Sequence, residues 1–258
     1  MKVGVCGACG RMGREVCRAV GGESDLELAC AVDPAYQGAP LSGLVPGLET
    51  ELRVSGDPQA MVESGIQVMV DFSLAQAARL NVPFALRHGI HCVVGTTGLE
   101  ERDLREFDAL ARENGVGCLV APNFAVGAVL MMDFARRAAR FLPRCEIIEM
   151  HHPAKLDSPS GTARNTARLV LEERGVKERE EREEGPRGLA VGDVHVHSVR
   201  LPGLVAHQEV ISGGQGQVLT IRHDSLDRTS FMPGVIMAVR KVPELRGLVL
   251  GLERIMDL

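Results

Sequence analysis

Tryptophan is absent, tyrosine occurs once, and aromatic residues make up only 3% of the 258-residue chain. Val, Leu, Ala and Ile must therefore fill the core, and an apolar content of 45% supplies enough of them. Basic charge is not in excess. The formal net charge is −5, which argues against nucleic acid as the main partner. No apolar run reaches the ~18 residues of a bilayer-spanning helix, so no membrane partner is expected. The opening MKVGVCGACG runs straight into a strand pattern and a glycine loop, unlike a signal peptide. The expected location is the cytoplasm, with Cys6, Cys9, Cys17, Cys30, Cys92, Cys118 and Cys145 mostly reduced. Cys6 and Cys9 form a C-x-x-C, but no second such pair follows, and no metal site is expected. Internal repeats and long low-complexity tracts are also missing.

The first third of the chain alternates strand and helix signals. KVGVCG, LELACAVD, IQVMVDFS, HCVVGTTG and VGCLVAPNF read as strands. GRMGREVCRAV, with Met12, Val16, Ala19 and Val20 at helical spacing, and LEERDLREFDALAREN read as helices. Such repetition implies a parallel sheet with helices on both faces, an α/β unit. Near residue 123 the pattern changes. NFAVGAVLMMDFARRAARFL reads as an amphipathic helix burying Val129, Met132, Ala135, Ala139 and Leu142. CEIIEMHH is a strand, and TARNTARLVLEERG is a helix closed by Gly175. KEREEREEGPRG is a charge run expected to be a solvated loop or helix end. From DVHVHSVRLPG to GGQGQVLTIRHDS the pattern is strand, turn, strand, with turns expected at Pro202-Gly203 and Gly213-Gly214. This half predicts an α+β domain with an antiparallel or mixed sheet.

Gly7, Gly10 and Gly13 follow the first strand as G-x-x-G-x-x-G. Small residues there let backbone N–H groups approach a pyrophosphate at a helix N-terminus and let helix pack on strand. Asp33 ends the second strand, where an acid accepts hydrogen bonds from a ribose 2′-OH. Pro34, Ala35 and Tyr36 follow it, with no cation for a 2′-phosphate; Arg11 in the loop is the one nearby candidate. The expected cofactor is a nicotinamide dinucleotide, NADH favoured over NADPH. Cys9 lies between two of the glycines at the helix N-terminus, whose positive end favours thiolate. It is expected to be more reactive than Cys6 in the preceding strand.

EIIEMHHPAKLDSPSGTAR, residues 146–164, is too polar for core. Pro153 disfavours helix at His152, so HHPAKLDSPSG is a loop after a strand. Imidazoles such as His151 and His152 pass protons near neutral pH. Lys155 can donate a proton or hold an anion. Ser160, Gly161 and Thr162 open the next helix, where free N–H groups and two hydroxyls form a cradle for a carboxylate. Taken alone, Ser160 reads as a helix cap.

That run, with VGVCGACGRMG, VVGTTG, APNF and LTIRHDSLDRTSF, resembles the 4-hydroxy-tetrahydrodipicolinate (dihydrodipicolinate) reductase family over essentially the whole chain. The resemblance implies a Rossmann-like domain of residues 1–122 and 228–258, interrupted by a substrate-binding and oligomerisation domain of residues 123–227. It implies a cofactor held by Gly7, Ala8, Cys9, Gly10, Arg11, Met12, Asp33, Gly95, Thr96, Thr97, Ala121, Pro122, Asn123 and Phe124, with Arg228 and Phe231 near it. His151 would be proton donor or acceptor and Lys155 proton donor, with His152, Gly161 and Thr162 on the substrate's carboxylates. The implied reaction is NAD(P)H-dependent reduction of a cyclic imine dicarboxylate in lysine and diaminopimelate biosynthesis, with hydride delivered to ring C4. The implied assembly is a homotetramer formed through the second domain's sheet. Where one member of that family has an Arg after the ribose-binding acid, this chain has Pro34. The rival readings are a dehydrogenase of another small acid and a non-enzymatic NAD-sensing regulator.

Overall fold

A computed structural model describes residues 1–177, 180–256 and 258. The chain divides into two units, one of Met1–Phe124 with a return segment starting at Phe231, the other Ala125–Ser230. These divisions fall a few residues after 122 and 227, the limits expected from sequence.

The first unit alternates β1 (Lys2–Cys6), α1 (Arg11–Gly21), β2 (Glu27–Val32), the short α2 (Leu41–Leu44) and α3 (Gln59–Glu63), then β3 (Val68–Asp71), α4 (Ala75–Arg87), β4 (His91–Val94), α5 (Glu101–Glu113) and β5 (Gly117–Val120). Its strands read as continuous apolar runs because helices cover both faces of a parallel sheet. Met69, Leu86, Cys92, Phe107 and Cys118 form one buried layer, and without tryptophan such small and medium side chains fill the space. All seven cysteines are free and buried.

The second unit contains α6 (Val126–Ala138), β6 (Arg144–His151), α7 (Gly161–Glu173), β7 (Glu181–Glu183), β8 (Leu189–Val191), β9 (Val194–Arg200), β10 (Ala206–Gly214) and β11 (Gln217–Ser225). The chain then returns to the first unit through α8 (Met232–Lys241) and β12 (Gly247–Leu250). The first sheet runs β12-β5-β4-β3-β1-β2 with parallel pairings. The second runs β11-β10-β6-β9-β8-β7 and is mixed, β6 lying parallel to β9 and antiparallel to β10. Met131, Ala135, Ile147, Ala167, Val170 and Val210 belong to the core between its helices and sheet.

Three local expectations are corrected. α6 starts at Val126 rather than 123 and buries Met131, leaving Met132 only partly buried. Ala128, Met131 and Ala135 keep the three- and four-residue spacing of one helix face. Gly213 and Gly214 are not a turn but pair with Val218 and Gln217 inside the hairpin. The turn is Gln215-Gly216, with Gly216 at φ +71° in the left-handed region. The charge run contains strand β7 paired with β8; its Glu178 and Arg179 lie outside the described residues. Gly203 does stand in a turn, at φ +93°. Gly175 at φ +72° follows α7, where Gly175 and Val176 donate to Glu172 and Leu171, each at 3.0 Å.

Candidate functional site

In the first unit the expected cofactor residues gather at the carboxyl ends of β1, β2, β4 and β5, where parallel sheets bind ligands. Gly7 has φ +70°, and a Cβ there would lie 2.8 Å from the Phe72 carbonyl oxygen. A Cβ on Gly13 would lie 2.0 Å from the Gly7 carbonyl oxygen, so only glycine lets α1 sit this close to the loop. Gly10 N–H donates to Gly7 O at 3.0 Å and closes the turn. Gly10 caps α1 without a side-chain bond, and the first turn of α1 carries no acid, which leaves an N-terminus suited to an anion. Gly10 and Arg11 are exposed, Met12 is half-buried, and Ala8 and Cys9 face inward.

Asp33 accepts from Cys9 N–H at 3.1 Å and from Ala35 N–H at 3.3 Å, fixing its carboxylate beside the loop. The setting of Cys9 runs against the expectation of a reactive thiol. Burial pushes its thiol up to about 11, and the Asp33 carboxylate adds to the rise, against a smaller opposing pull from Arg14. Cys9 is only 4% exposed, so desolvation outweighs the helix terminus. Burial also holds Cys6 well above the ordinary thiol range.

Asp71, at the end of β3, is completely buried. It accepts from Ser73 N–H (3.0 Å) and Oγ (2.7 Å), Asn81 Nδ2 (3.0 Å) and Thr96 Oγ1 (2.6 Å). The Thr96 side chain is thus committed to the protein, whereas Thr97 is exposed. Gly95 lies against the Phe72 ring, which packs on Phe124 with centroids 5.6 Å apart. Ala121 is buried, Pro122 exposed, Asn123 partly buried and Phe124 buried. Arg228 and Phe231 bound a short 3-10 turn; Arg228 is exposed and Phe231 partly buried.

In the second unit, strand alternation sends Cys145, Ile147 and Glu149 to the helix-covered face of β6, with His151 at its end. Glu149 has no exposed side-chain surface. Its Oε2 accepts from His151 Nδ1 at 2.5 Å and from Arg200 Nη1 at 2.9 Å. Its Oε1 accepts from Arg200 Nη2 at 2.8 Å and from Ser160 N–H at 3.2 Å. Burial pushes this carboxyl up, but hydrogen bonds from His151, Arg200 and Ser198 outweigh burial and hold it at about 2. A carboxylate can only accept, so His151 carries its proton on Nδ1 and keeps Nε2 for other contacts.

The loop from His152 to Ser160 is closed by Lys155 N–H donating to His152 O at 3.1 Å. His152 is exposed. Lys155 Nζ pairs with Asp157 at 2.7 Å; burial raises the Asp157 carboxyl, yet the Lys155 ammonium holds it below its usual range. Ser160, expected both as a helix cap and as part of the carboxylate cradle, is engaged with the protein at its backbone and side chain. Its N–H goes to Glu149, its Oγ accepts from Ala163 N–H at 3.2 Å, and it is 3% exposed. It is the N-cap of α7. Gly161 and Thr162 then begin the helix, whose first turn has no acid. A Cβ on Gly161 would meet nothing within 4 Å, so the fold leaves that position open.

Glu149, Arg200 and Asp157 were not expected from sequence. An acid in register with Cys145 and Ile147 was a usable signal for Glu149. Arg200 lies 51 residues from Glu149 in the chain, and only the strand pairing joins them. Among the described residues no group of His, Cys, Asp or Glu is placed to hold a metal ion.

Residues 1–124 match the family described as dihydrodipicolinate reductase, N-terminus, and residues 127–256 the one described as dihydrodipicolinate reductase, C-terminus. A 4-hydroxy-tetrahydrodipicolinate reductase of Syntrophomonas wolfei is 46% identical, covering 99% of this chain and 98% of its own. One from Listeria monocytogenes is 47% identical over 100% of both chains. The solved dipicolinate-bound dihydrodipicolinate reductase from Paenisporosarcina sp. TG-14 is 40% identical, with a TM-score of 0.85 over 98% of each chain. An amine dehydrogenase from Mycobacterium smegmatis, 15% identical with a TM-score of 0.69 over 96% of this chain and 94% of its own, shares the fold alone.

Proposed function

The chain belongs to the dihydrodipicolinate reductase family, and from that premise we propose how its residues divide the family's reaction. The protein is an NAD(P)H-dependent oxidoreductase that reduces the cyclic dicarboxylate 4-hydroxy-tetrahydrodipicolinate in lysine and diaminopimelate biosynthesis. The first unit is the dinucleotide-binding half. Backbone N–H groups from Gly7 to Met12 hold the pyrophosphate, and Asp33 accepts from the ribose hydroxyls. Gly95, Thr96, Thr97 and Ala121 to Phe124 border the nicotinamide end, with Phe231 at the return of the chain. The open glycine loop and the fixed Asp33 carboxylate support this fit. When bound, the reduced nicotinamide supplies the hydride, which goes to ring C4.

The second unit is the substrate-binding and oligomerisation half. The α7 N-terminus at Gly161 and Thr162, with His152 and Lys155, binds the two carboxylates. Lys155 and His151 deliver the proton that neutralises charge developing on the ring, assistance worth about 10²–10⁴-fold. The observation that carries this reading is the loop itself. Glu149 bonds both His151 and the Ser160 N–H, so one buried carboxylate sets the acid end and the helix end of the loop together.

NADH is the favoured cofactor, because Asp33 repels a 2′-phosphate and Pro34 brings no compensating cation. kcat/KM for NADH is expected to equal or exceed that for NADPH; a clear preference for NADPH in steady-state assays would contradict this and point to Arg11. The assembly is a homotetramer through the second unit's sheet, supported by exposed Val218 and Leu219 on strand β11 and testable by sedimentation. The buried free thiols support a cytoplasmic location. The activity is tested by NADH oxidation with ring freshly formed from pyruvate and aspartate semialdehyde. Substrate-dependent oxidation is expected; none above background would sink the reading in favour of a regulator.

A further inference from the structure

Glu149 and Arg200 make more bonds than the sheet needs. Neither side chain takes part in the strand hydrogen bonding, yet both oxygens of one buried carboxylate are taken by a guanidinium fork, an imidazole and a helix-capping N–H. Burying such a pair costs desolvation that an apolar pair would avoid. The charges therefore call for an explanation beyond packing.

We propose that Glu149 and Arg200 are positioning residues that set the tautomer and proton affinity of His151: Glu149 holds Nδ1–H and favours the imidazolium, while Arg200 shares the carboxylate and limits that hold. This rests on the reading of His151 as a proton-transferring group. Glu149 fixes the ring so that Nε2 is the atom that gives or takes the proton. Arg200 keeps the carboxylate from binding the proton so tightly that the imidazolium would not release it. The same guanidinium donates to Asp157 O at 2.7 Å, which ties the strand end to the Lys155 loop.

Among the described residues, the groups around His151 are these. From β9 come Arg200 and the Ser198 hydroxyl. From β10 comes Gln208, opposite Glu149 in register, uncharged and donating to Thr166 at 2.8 Å. The loop contributes the Lys155–Asp157 pair. α7 contributes the Ser160 N–H, while Arg164 in its first turn is turned to Glu181 at 2.5 Å.

Removing either partner thus gives opposite signs. Glu149→Gln withdraws the charge that favours the imidazolium, so the limb of the kcat profile governed by His151 moves to lower pH. Arg200→Met removes the cation that competes with His151 for the carboxylate, so the same limb moves to higher pH. Each displacement is expected to be about one pH unit, the usual effect of one close charge. Arg200→Lys keeps the cation and returns the limb toward its wild-type position, which guards against a variant that fails to fold. kcat is expected to fall about 10²-fold in Glu149→Gln, with the KM for NADH unchanged. A loss that is only structural would lower active enzyme without moving the limb. Limbs that stay fixed, or move in the same direction in both variants, would overturn the proposal. ¹⁵N imidazole spectra of the unliganded protein test it without turnover: His151 is expected protonated on Nδ1, and an Nε2–H tautomer would refute it. If instead His151→Ala turns over normally, the proton-transfer reading itself falls, and the positioning role with it.

Discussion

The glycine loop of the first unit and the histidine loop of the second each lead into the N-terminus of a helix, and they are built by opposite means. At α1 the opening is made by what is missing: no side-chain cap, no acid in the first turn, and no Cβ at Gly7 or Gly13 to hold the loop away. At α7 it is made by what is present. Ser160 caps the helix, and a buried carboxylate, a guanidinium and an imidazole brace the loop that leads into it. One site is governed by sterics and tolerates little added volume. The other is governed by charge and tolerates little lost charge. The first kind lets backbone approach closely; the second holds charged side chains in a fixed arrangement.

The contrast is broken most severely by removing charge from the second unit. Glu149→Ala leaves the half-buried Arg200 guanidinium without its carboxylate and is expected to cost about 1–3 kcal/mol, measured by chemical unfolding. Acid should act on the same group. Its folded value of about 2 lies below the ordinary 4.5. Its stabilisation is therefore complete above about pH 4.5 and lost as the pH falls toward 2. An unfolding free energy that does not decline across that window more in wild type than in Glu149→Gln would contradict the assignment.

Added volume distinguishes the loops next. Gly13→Ala drives a Cβ toward a backbone oxygen and is expected to cost about 1–3 kcal/mol and to weaken NADH binding. Gly161→Ala meets nothing. It is expected to keep or slightly raise the melting temperature, since alanine is the better helix residue by about 0.5–1 kcal/mol, while the KM for the dicarboxylate rises several-fold. Equal thermal effects at the two glycines would erase the distinction. The smallest effect concerns Cys9. Its thiol, pushed to about 11, should alkylate slowly at pH 7 and faster only as the pH approaches that value. Rapid labelling at neutral pH by mass spectrometry would show that burial does not govern it.

Much of the first unit could be read before any coordinates. A run of three spaced glycines with an acid closing the next strand reflects steric demands that few other arrangements share. The loop after β6 could be read for the same reason: Pro153 and Ser160 each have a local meaning, one ending the strand and the other capping the next helix. What stayed hidden depended on pairing or depth. Gly213-Gly214 looks like a turn, but the register that opposes Gly214 to Gln217 puts the turn at the next two residues. Cys9 looked reactive because its helix terminus is visible in sequence and its burial is not. Arg200 could not be linked to Glu149 without knowing that β6 and β9 are neighbours.

The division of labour between the units is tested most directly by measuring NADH dissociation constants and turnover side by side for wild type, Lys155→Ala and His151→Ala. The expected result is unchanged NADH affinity in all three, with turnover reduced about 10²–10⁴-fold in Lys155→Ala, a raised substrate KM in that variant, and a loss mainly in kcat for His151→Ala. Near-normal turnover in both variants would contradict the assignment of the proton to this loop, and NADH affinity lost in step with turnover would contradict the separation of the two halves.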